Sequence, residues 1–396
     1  MSLAYRILGV VLVLLGIALN RWTLARFVLY DGVVESTAKG AAIAIVQLGL
    51  VGSGAWLFLR APRLGAPPLA NLALLGISGL LGLLLCEPAF RLLDPDYAPA
   101  QRAYVGEREN RVSPNFEPDP HTGWRMRPSR AFEWTHDGRA TSYRSNARGF
   151  RAQREFVPGG VPVVGLAGDS FTWGTGVAYP ETFGARLEQR LAGVEVRNYA
   201  MPGFGVDQMW MSVRHQALPD RPALVVVAFI DDDFTRSLTA YRHGEGFNKP
   251  TFVVRRGALR PQTREDAPTG VLRLMHDRSR IFAALAYRAE RLRPFGNWWE
   301  LNLAVLEGIA ADCVEAGAPL LILRLPQKKQ GGFRVLEREL TRRGLAFVDV
   351  GERIGPRDRD FFLVTDDHPS PTGHERVAGI LADWIGRALP GLASAR

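Results

Sequence analysis

Lysine is nearly missing from this chain. Of 49 basic residues only Lys39, Lys249, Lys328 and Lys329 are lysines, and the arginines that make up the rest are scattered rather than gathered into one stripe. A net charge of +9 would ordinarily raise nucleic acid or an anionic surface as a partner. Without a basic stripe or a nucleic-acid motif it reads as an arginine-rich surface, and no nucleic acid is expected. Cysteine is scarcer still, with Cys86 in an apolar run and Cys313 in a helical pattern. Two such residues exclude a disulfide framework and a cysteine-built metal site, and they leave the compartment open. Internal repeats and low-complexity tracts are also absent, so 396 residues read as one large domain with a smaller attached part.

Charge is missing from two long stretches. Ala41–Leu59 and Leu69–Cys86 are uncharged runs of about 18 to 19 residues, close to the roughly 20 that cross a bilayer as a helix. In an earlier run, Leu3–Leu19, only thirteen apolar residues, Ile7 to Leu19, lie between Arg6 and Arg21, which is also the length of a signal-peptide core. No small-residue cleavage site follows, and Asn20-Arg21-Trp22 resembles an interfacial anchor, so a retained span is expected. The reading is a membrane region over 1–90 with about three spans (3–19, 41–59 and 69–86), a connector over 91–160 and a large domain over 161–396. Three spans put the two ends of the chain on opposite sides of the membrane. Arg6, Arg60 and Arg63 on one side then balance Arg21, Arg26 and Lys39 on the other, and the positive-inside count does not decide the orientation. A basic Arg60–Pro68 loop, set against Glu87, Asp94 and Asp96 after the third run, tilts the large domain toward the extracytoplasmic side.

Pro88, Pro95, Pro99, Pro114, Pro118, Pro120 and Pro128 argue against long helices in the connector, where irregular structure with one or two strands, such as Ala140–Arg144, is expected. From Val161 the pattern alternates: a strand to Ala167, a helix from Pro180, a strand Val194–Arg197, a helix Val206–Leu218 and a strand Ala223–Ile230. Helical patterns follow over Gly270–Arg293 and Trp298–Gly317, then a strand Pro319–Leu325, a helix Phe333–Arg343, a strand Ala346–Val350 and a helix Gly373–Leu389. Such alternation implies an α/β domain with a parallel sheet. Thr235–Gly270 interrupts it with Tyr241, His243, Phe247 and Phe252, and reads as an insertion near the active face.

The chain is organised around Pro162–Gly176, PVVGLAGDSFTWGTG. An apolar run of the kind buried on both faces of a parallel sheet stops at Gly168-Asp169-Ser170. A serine there lies where open α/β sheets keep their ligand crevices, although Gly, Asp and Ser are also ordinary turn residues. GDS followed by an aromatic and a further glycine resembles the first block of the SGNH (GDSL-type) hydrolases. The later blocks follow in order: Asn198-Tyr199-Ala200-Met201-Pro202-Gly203, then Asp231-Asp232-Asp233-Phe234 after an apolar run, then Asp366-Asp367-His368-Pro369 with Gly373-His374. The likeness covers about Val161–Leu389, and Gly123-Trp124-Arg125 with Ser145–Arg151 look like the lead-in of membrane-tethered members. The resemblance implies a three-layer, flavodoxin-like parallel sheet with helices on both faces, preceded here by transmembrane helices.

A serine hydroxyl needs a base to become a nucleophile. Of seven histidines only His368 sits in a motif-like setting, with carboxylates at the two preceding positions. The resemblance makes Ser170 the nucleophile, His368 the base and an aspartate its partner. The family's usual place for that aspartate, three residues before the histidine, is Thr365 here; Asp366 matches the Asp-x-His spacing of polysaccharide-modifying relatives and is preferred over Asp367. His374 competes as base, but a histidine at a helix start more often caps or packs, and Asp169 is expected to order its loop. The resemblance also assigns the oxyanion hole to the backbone N–H groups of Ser170 and Gly203 and to a third-block asparagine, which is Asp231 in this chain. A carboxylate there repels an oxyanion unless burial keeps it protonated. The acidic cluster lacks the spacing of a known cation loop, so neither a metal nor a cofactor is expected. The resulting expectation is a membrane-anchored serine esterase or O-acyltransferase of the cell envelope, acting outside a bacterial-type cytoplasmic membrane on acyl esters of a glycan or lipid. A binding or scaffold protein with the same fold is the alternative that Asp231 favours.

Overall fold

The computed structural model describes residues 2–18, 20, 37–60, 87–88, 109–242, 245–263, 269–279, 281–282, 297–328, 334–354 and 359–393. The chain divides into two compact units, Met1–Ala100 with Gly270–Pro294, and Gln101–Thr269 with Phe295–Arg396. This division differs from the one expected. The connector from Gln101 onward falls in the second unit, and Gly270–Pro294 falls in the first.

In the first unit, the apolar runs form helices Ser2–Ala18 and Thr37–Arg60. Ile43–Arg60 is long and apolar enough to cross a membrane, whereas Tyr5–Ile17 is a shorter apolar helix. Leucines and isoleucines on both helices point outward, including Ile7, Leu14, Ile45 and Leu48. The two helices meet on glycine: a Cβ built on Gly9 would lie 2.6 Å from the Gly54 carbonyl oxygen, and one on Gly16 would lie 2.6 Å from Val51. Small residues that let backbones approach are how helices associate in lipid. The third expected span, 69–86, lies outside the described residues. Glu87, just past it, accepts from the Ser279 hydroxyl (3.0 Å) and the Ile281 N–H (3.1 Å).

The second unit opens with two antiparallel hairpins. Strands β1 (Phe116–Asp119) and β2 (Gly123–Met126) form one, and β3 (Ala131–His136) and β4 (Arg139–Arg144) the other. The connector is therefore more regular than its prolines suggested, because Pro114 precedes β1, Pro120 and Pro128 fall between strands, and Pro118 lies on an edge. The main sheet follows, from β5 (Val163–Gly168), β6 (Glu195–Asn198) and β7 (Leu224–Phe229). The interruption between 235 and 270 supplies two small hairpins, β8 (Tyr241–Arg242) with β9 (Phe247–Asn248) and β10 (Phe252–Arg255) with β11 (Ala258–Pro261). His243 lies outside the described residues. β12 (Leu320–Arg324) and β13 (Ala346–Asp349) complete a five-stranded sheet of order β13-β12-β7-β5-β6, parallel throughout.

Side-chain alternation places a core on each face of this sheet. Val225, Val227, Phe229 and Ile322 join residues of helices Val206–Ser212, Asn297–Glu315 and Arg334–Arg342. Val226, Ala228, Leu321 and Leu323 face the other way, toward helices Phe183–Arg190 and Pro371–Ala388. The result is an α/β fold of helix, sheet and helix layers. Because β6 and β7 leave β5 on opposite sides, the order reverses at β5, and crevices in open parallel sheets form beyond the carboxyl ends at such a point. Ser170 stands there, two residues past the end of β5.

Gly168, the last residue of β5, has no room for a side chain. A Cβ there would collide with the Thr172 hydroxyl and lie 2.7 Å from the Ala228 carbonyl oxygen of β7. Gly168→Ala is therefore expected to lower stability by about 1–3 kcal/mol through overpacking, read as a fall in Tm. An unchanged Tm would show that the strand end yields freely.

Candidate active site

Ser170 opens a four-residue helix, Ser170–Trp173. Asp169 precedes it as N-cap, its Oδ1 accepting from the Phe171 N–H at 2.9 Å, as a capping aspartate does. The other oxygen of Asp169, fully buried, accepts from Arg236 at 3.1 Å and lies 3.4 Å from the Ser170 hydroxyl. Arg236 also bonds Asp233 at 2.5 Å. Burial, reinforced by the neighbouring Asp169 carboxylate, pushes Asp233 well above the ordinary carboxylate range. Asp169 thus orders the nucleophile loop, and its charge is spent on a buried arginine.

The far end of the same short helix is held by a residue from the connector. Arg151, buried at 1% exposure, donates to the carbonyls of Trp173 (2.9 Å), Gly174 and Val177 (2.6 Å). Its guanidinium lies over the rings of Tyr143 (4.5 Å) and Trp173 (4.8 Å), which stack on each other at 4.6 Å. The Tyr143 hydroxyl accepts from the Gly176 N–H at 2.8 Å.

His368 comes from a closed loop between a single bridge, Phe362 with Pro369, tied by Leu363 N–H to the His368 carbonyl at 2.9 Å. Lys328 donates to the carbonyls of Leu363 (3.0 Å) and Asp366 (2.6 Å), holding the loop from outside. The structure brings three of the expected residues together. His368 Nε2 is 2.8 Å from Ser170 Oγ, and His368 Nδ1 is 2.7 Å from Asp366 Oδ1. The hydrogen bond from His368 holds the Asp366 carboxyl down at about 2. A carboxylate depressed in this way adds stability that is complete above the ordinary carboxylate range and is lost as pH falls through about 2. Asp367 points elsewhere, 45% exposed and 3.8 Å from Lys328. His374 is fully buried, accepts from the Phe183 N–H through Nδ1 at 3.1 Å, and is pushed down to about 3 mainly by burial. It is a packed, neutral imidazole.

Of the expected oxyanion donors, Ser170 contributes the first N–H of a helix, one of the amides that helices leave unused. Gly203 has φ 80, in the left-handed region that favours glycine. Its loop is tied to the end of β5 by Met201 N–H to the Gly168 carbonyl (3.2 Å) and to the connector by Trp124 Nε1 to the Pro202 carbonyl (3.1 Å). Glu245, at the β8–β9 turn, packs against Gly203 where a side chain would stand and accepts from Arg242 at 3.2 Å. Asp231 requires a correction. Both of its oxygens accept from Arg324 at 2.8 Å, and Arg324 also bonds Asp349 at 2.7 Å. The carboxylate is an acceptor in a latch across the ends of β7, β12 and β13, with both oxygens engaged by Arg324. Among the described residues no group of three or more His, Cys, Asp and Glu is arranged to hold a metal ion.

Sequence reading missed the connector's part in the site. Besides Arg151 and Tyr143, His136 lies 3.6 Å from Asp366 Oδ2, and Asp137 bonds Val364 and Thr365. The one available signal was the Ser145–Arg151 lead-in, which said nothing of contacts with Ser170.

No family model matches the chain, and no curated protein does. Solved structures to which this chain is similar include TesA, at 15% identity over 57% of this chain and 99% of that one, with a TM-score of 0.37. A lipase/acylhydrolase from Enterococcus faecalis shares 15% identity over 57% of this chain and 97% of its own, at 0.34. The lipase Lip_vut3 from a goat rumen metagenome shares 13% over 60% and 100%, at 0.36.

Asp231→Asn tests the latch. Replacing the charged partner of two charge-assisted hydrogen bonds from Arg324 should cost about 1.5–3 kcal/mol, seen as a lower midpoint in denaturant. An Asn variant as stable as the parent would return Asp231 to consideration as a donor.

Proposed function

We propose that this chain is a membrane-anchored serine esterase or O-acyltransferase that works through an acyl-enzyme on acyl esters of an extracytoplasmic glycan or lipid. One observation carries the reading: the relay from Ser170 Oγ through both ring nitrogens of His368 to Asp366, at 2.8 and 2.7 Å. Those distances suit a base within reach of a nucleophile and an orienter within reach of the base. The apolar helices, of which one is long enough to span, support the anchor.

In the first half-reaction the Ser170 proton passes to His368 Nε2 as Oγ attacks the acyl carbonyl carbon. The tetrahedral oxyanion is met by the N–H groups of Ser170 and Gly203. Asp366 fixes the proton on Nδ1 and stabilises the imidazolium. Collapse breaks the ester C–O bond, and His368 returns its proton to the departing alkoxide, leaving Ser170 acylated. Water or an acceptor hydroxyl then gives its proton to His368 and attacks the acyl carbon, releasing Ser170. Hydrolysis and transfer differ only in that last nucleophile.

A second reading, a binding or scaffold protein of the envelope that keeps the fold without turnover, is favoured by the engaged Asp231 and by the Glu245 carboxylate beside Gly203. Treating the full-length chain in detergent with a fluorophosphonate probe separates the two. Label is expected on Ser170, with none on Ser170→Ala. Asp366→Asn should reduce ester turnover about 10⁴-fold and Asp367→Asn should stay near the parent. Persistent label in Ser170→Ala, or equal losses at the two aspartates, would remove the assignment, and an unlabelled parent would favour the scaffold.

The location is tested separately. A reporter active only outside the cytoplasm, fused after Arg396, is expected to give signal. A signal from a cytoplasm-only reporter would overturn both the location and the class of substrate.

A further inference from the structure

Resting on that reading of Ser170 and His368, we propose that His136, on connector strand β3, is a positioning residue: it holds the oxygen of Asp366 that His368 does not use. Asp366 Oδ1 is hydrogen-bonded at His368 Nδ1 (2.7 Å), while Oδ2 faces His136 Nδ1 at 3.6 Å, an ion-pair separation longer than a hydrogen bond, with side-chain exposures of 22% and 29% for His136 and Asp366. A carboxylate anchored through one oxygen turns about its Cβ–Cγ bond. A group at the second oxygen fixes its plane, and with it the tilt of the imidazole that must reach Ser170.

The neighbouring residue makes the contact part of a built arrangement. Asp137 stands at the β3–β4 turn with φ 51, followed by Gly138 with φ 74. Its carboxylate accepts from the N–H groups of Val364 (2.5 Å) and Thr365 (2.9 Å) and from the Thr365 hydroxyl. Those bonds hold the Asp137 carboxyl below its ordinary range, the Thr365 hydroxyl first among them. Two consecutive residues of one turn thus grip three consecutive residues of the loop, Val364, Thr365 and Asp366. Trp134 meets the His136 ring edge-on at 6.3 Å and 72°, and a Cβ on Gly176 would lie 3.7 Å from the ring's Cγ. The His136 and His368 rings are 6.5 Å apart at 66°, so each approaches its own oxygen without competing for the other.

Steady-state turnover of a chromogenic acyl ester and the rate of fluorophosphonate labelling of Ser170, both in the full-length chain in detergent, provide the test. His136→Phe keeps a ring without a donor; His136→Asn keeps a donor near the Nδ1 position. The phenylalanine variant is expected to lose about tenfold in kcat with KM unchanged, as misplacement of a reacting group does. The asparagine variant should recover most of that. In an Asp366→Asn background the His136→Phe loss should disappear, because His136 acts only through that carboxylate. Wild-type kcat in His136→Phe, an asparagine variant as slow as the phenylalanine one, or a loss undiminished beside Asp366→Asn would each overturn the proposal. Should His136→Phe fail to fold, the comparison is read between Asn and Gln, whose donor falls at the Nε2 position; equal rates there overturn it. A parent chain with neither turnover nor label refutes the reading of Ser170 itself, and this inference with it.

Discussion

The position of the nucleophile depends on one buried guanidinium. A four-residue helix has too few hydrogen bonds to persist alone, and Ser170–Trp173 would not hold its first residue in place without help at both ends. Asp169 satisfies the amide end. At the carbonyl end Arg151 supplies the positive charge that helix C-termini favour, and donates to three carbonyls at once. Burial lowers the Arg151 pKa to about 10, still far above neutrality, so the charge is present whenever the protein works. The stacked rings of Tyr143 and Trp173 take the place of water around it. Arginine suits this role better than lysine because its planar fork reaches several acceptors while lying flat on an aromatic face.

The acid–base loop is held in a comparable way from elements far away in sequence. Asp137 accepts the Val364 and Thr365 amides, and Lys328 donates to the Leu363 and Asp366 carbonyls. Backbone groups that a loop leaves unpaired are thereby satisfied by side chains. The loop can then project a histidine toward the sheet without forming a strand or helix of its own. Two of the chain's few lysines, Lys328 here and Lys249 in its buried pair with Asp207, serve structure rather than a charged binding surface.

Much of this arrangement was legible in the residues. Continuous apolar runs and the helices between them marked strand positions within about two residues, since burial on both faces leaves Val164–Ala167 and Leu224–Phe229 no other composition. The choice of Asp366 over Asp367 rested on the Asp-x-His spacing of the resemblance, and Asp366 Oδ1 stands 2.7 Å from His368 Nδ1. What could not be read was any contact made across the sequence by a residue ordinary in its local setting. Arg151, His136 and Asp137 sit in a hairpin-rich connector whose prolines masked its regularity. Asp231 was misread because its partner, Arg324, ends a strand elsewhere in the sheet. A carboxylate judged only from its motif position looked like a failed donor, whereas its two bonds to Arg324 make it a tie between strand ends.

The contacts of Arg151, Tyr143 and Asp137 bear on how far the connector and the sheet can be separated. Composition changes near Val161, and a domain drawn there contains every block of the resemblance. It would nevertheless lose Arg151 and Tyr143 from behind Ser170, and Asp137 from beneath the His368 loop. The Trp173 and Val177 carbonyls and the Val364 amide would be left without the partners that now satisfy them, in a region where unpaired backbone groups are costly. The sheet's two cores would survive, because they are built from β5 onward, although the first core also draws on Trp124, Met126 and Tyr143. The division that matters physically therefore lies ahead of the hairpins. The fold needs the sheet; the geometry of its proposed chemistry needs the connector as well.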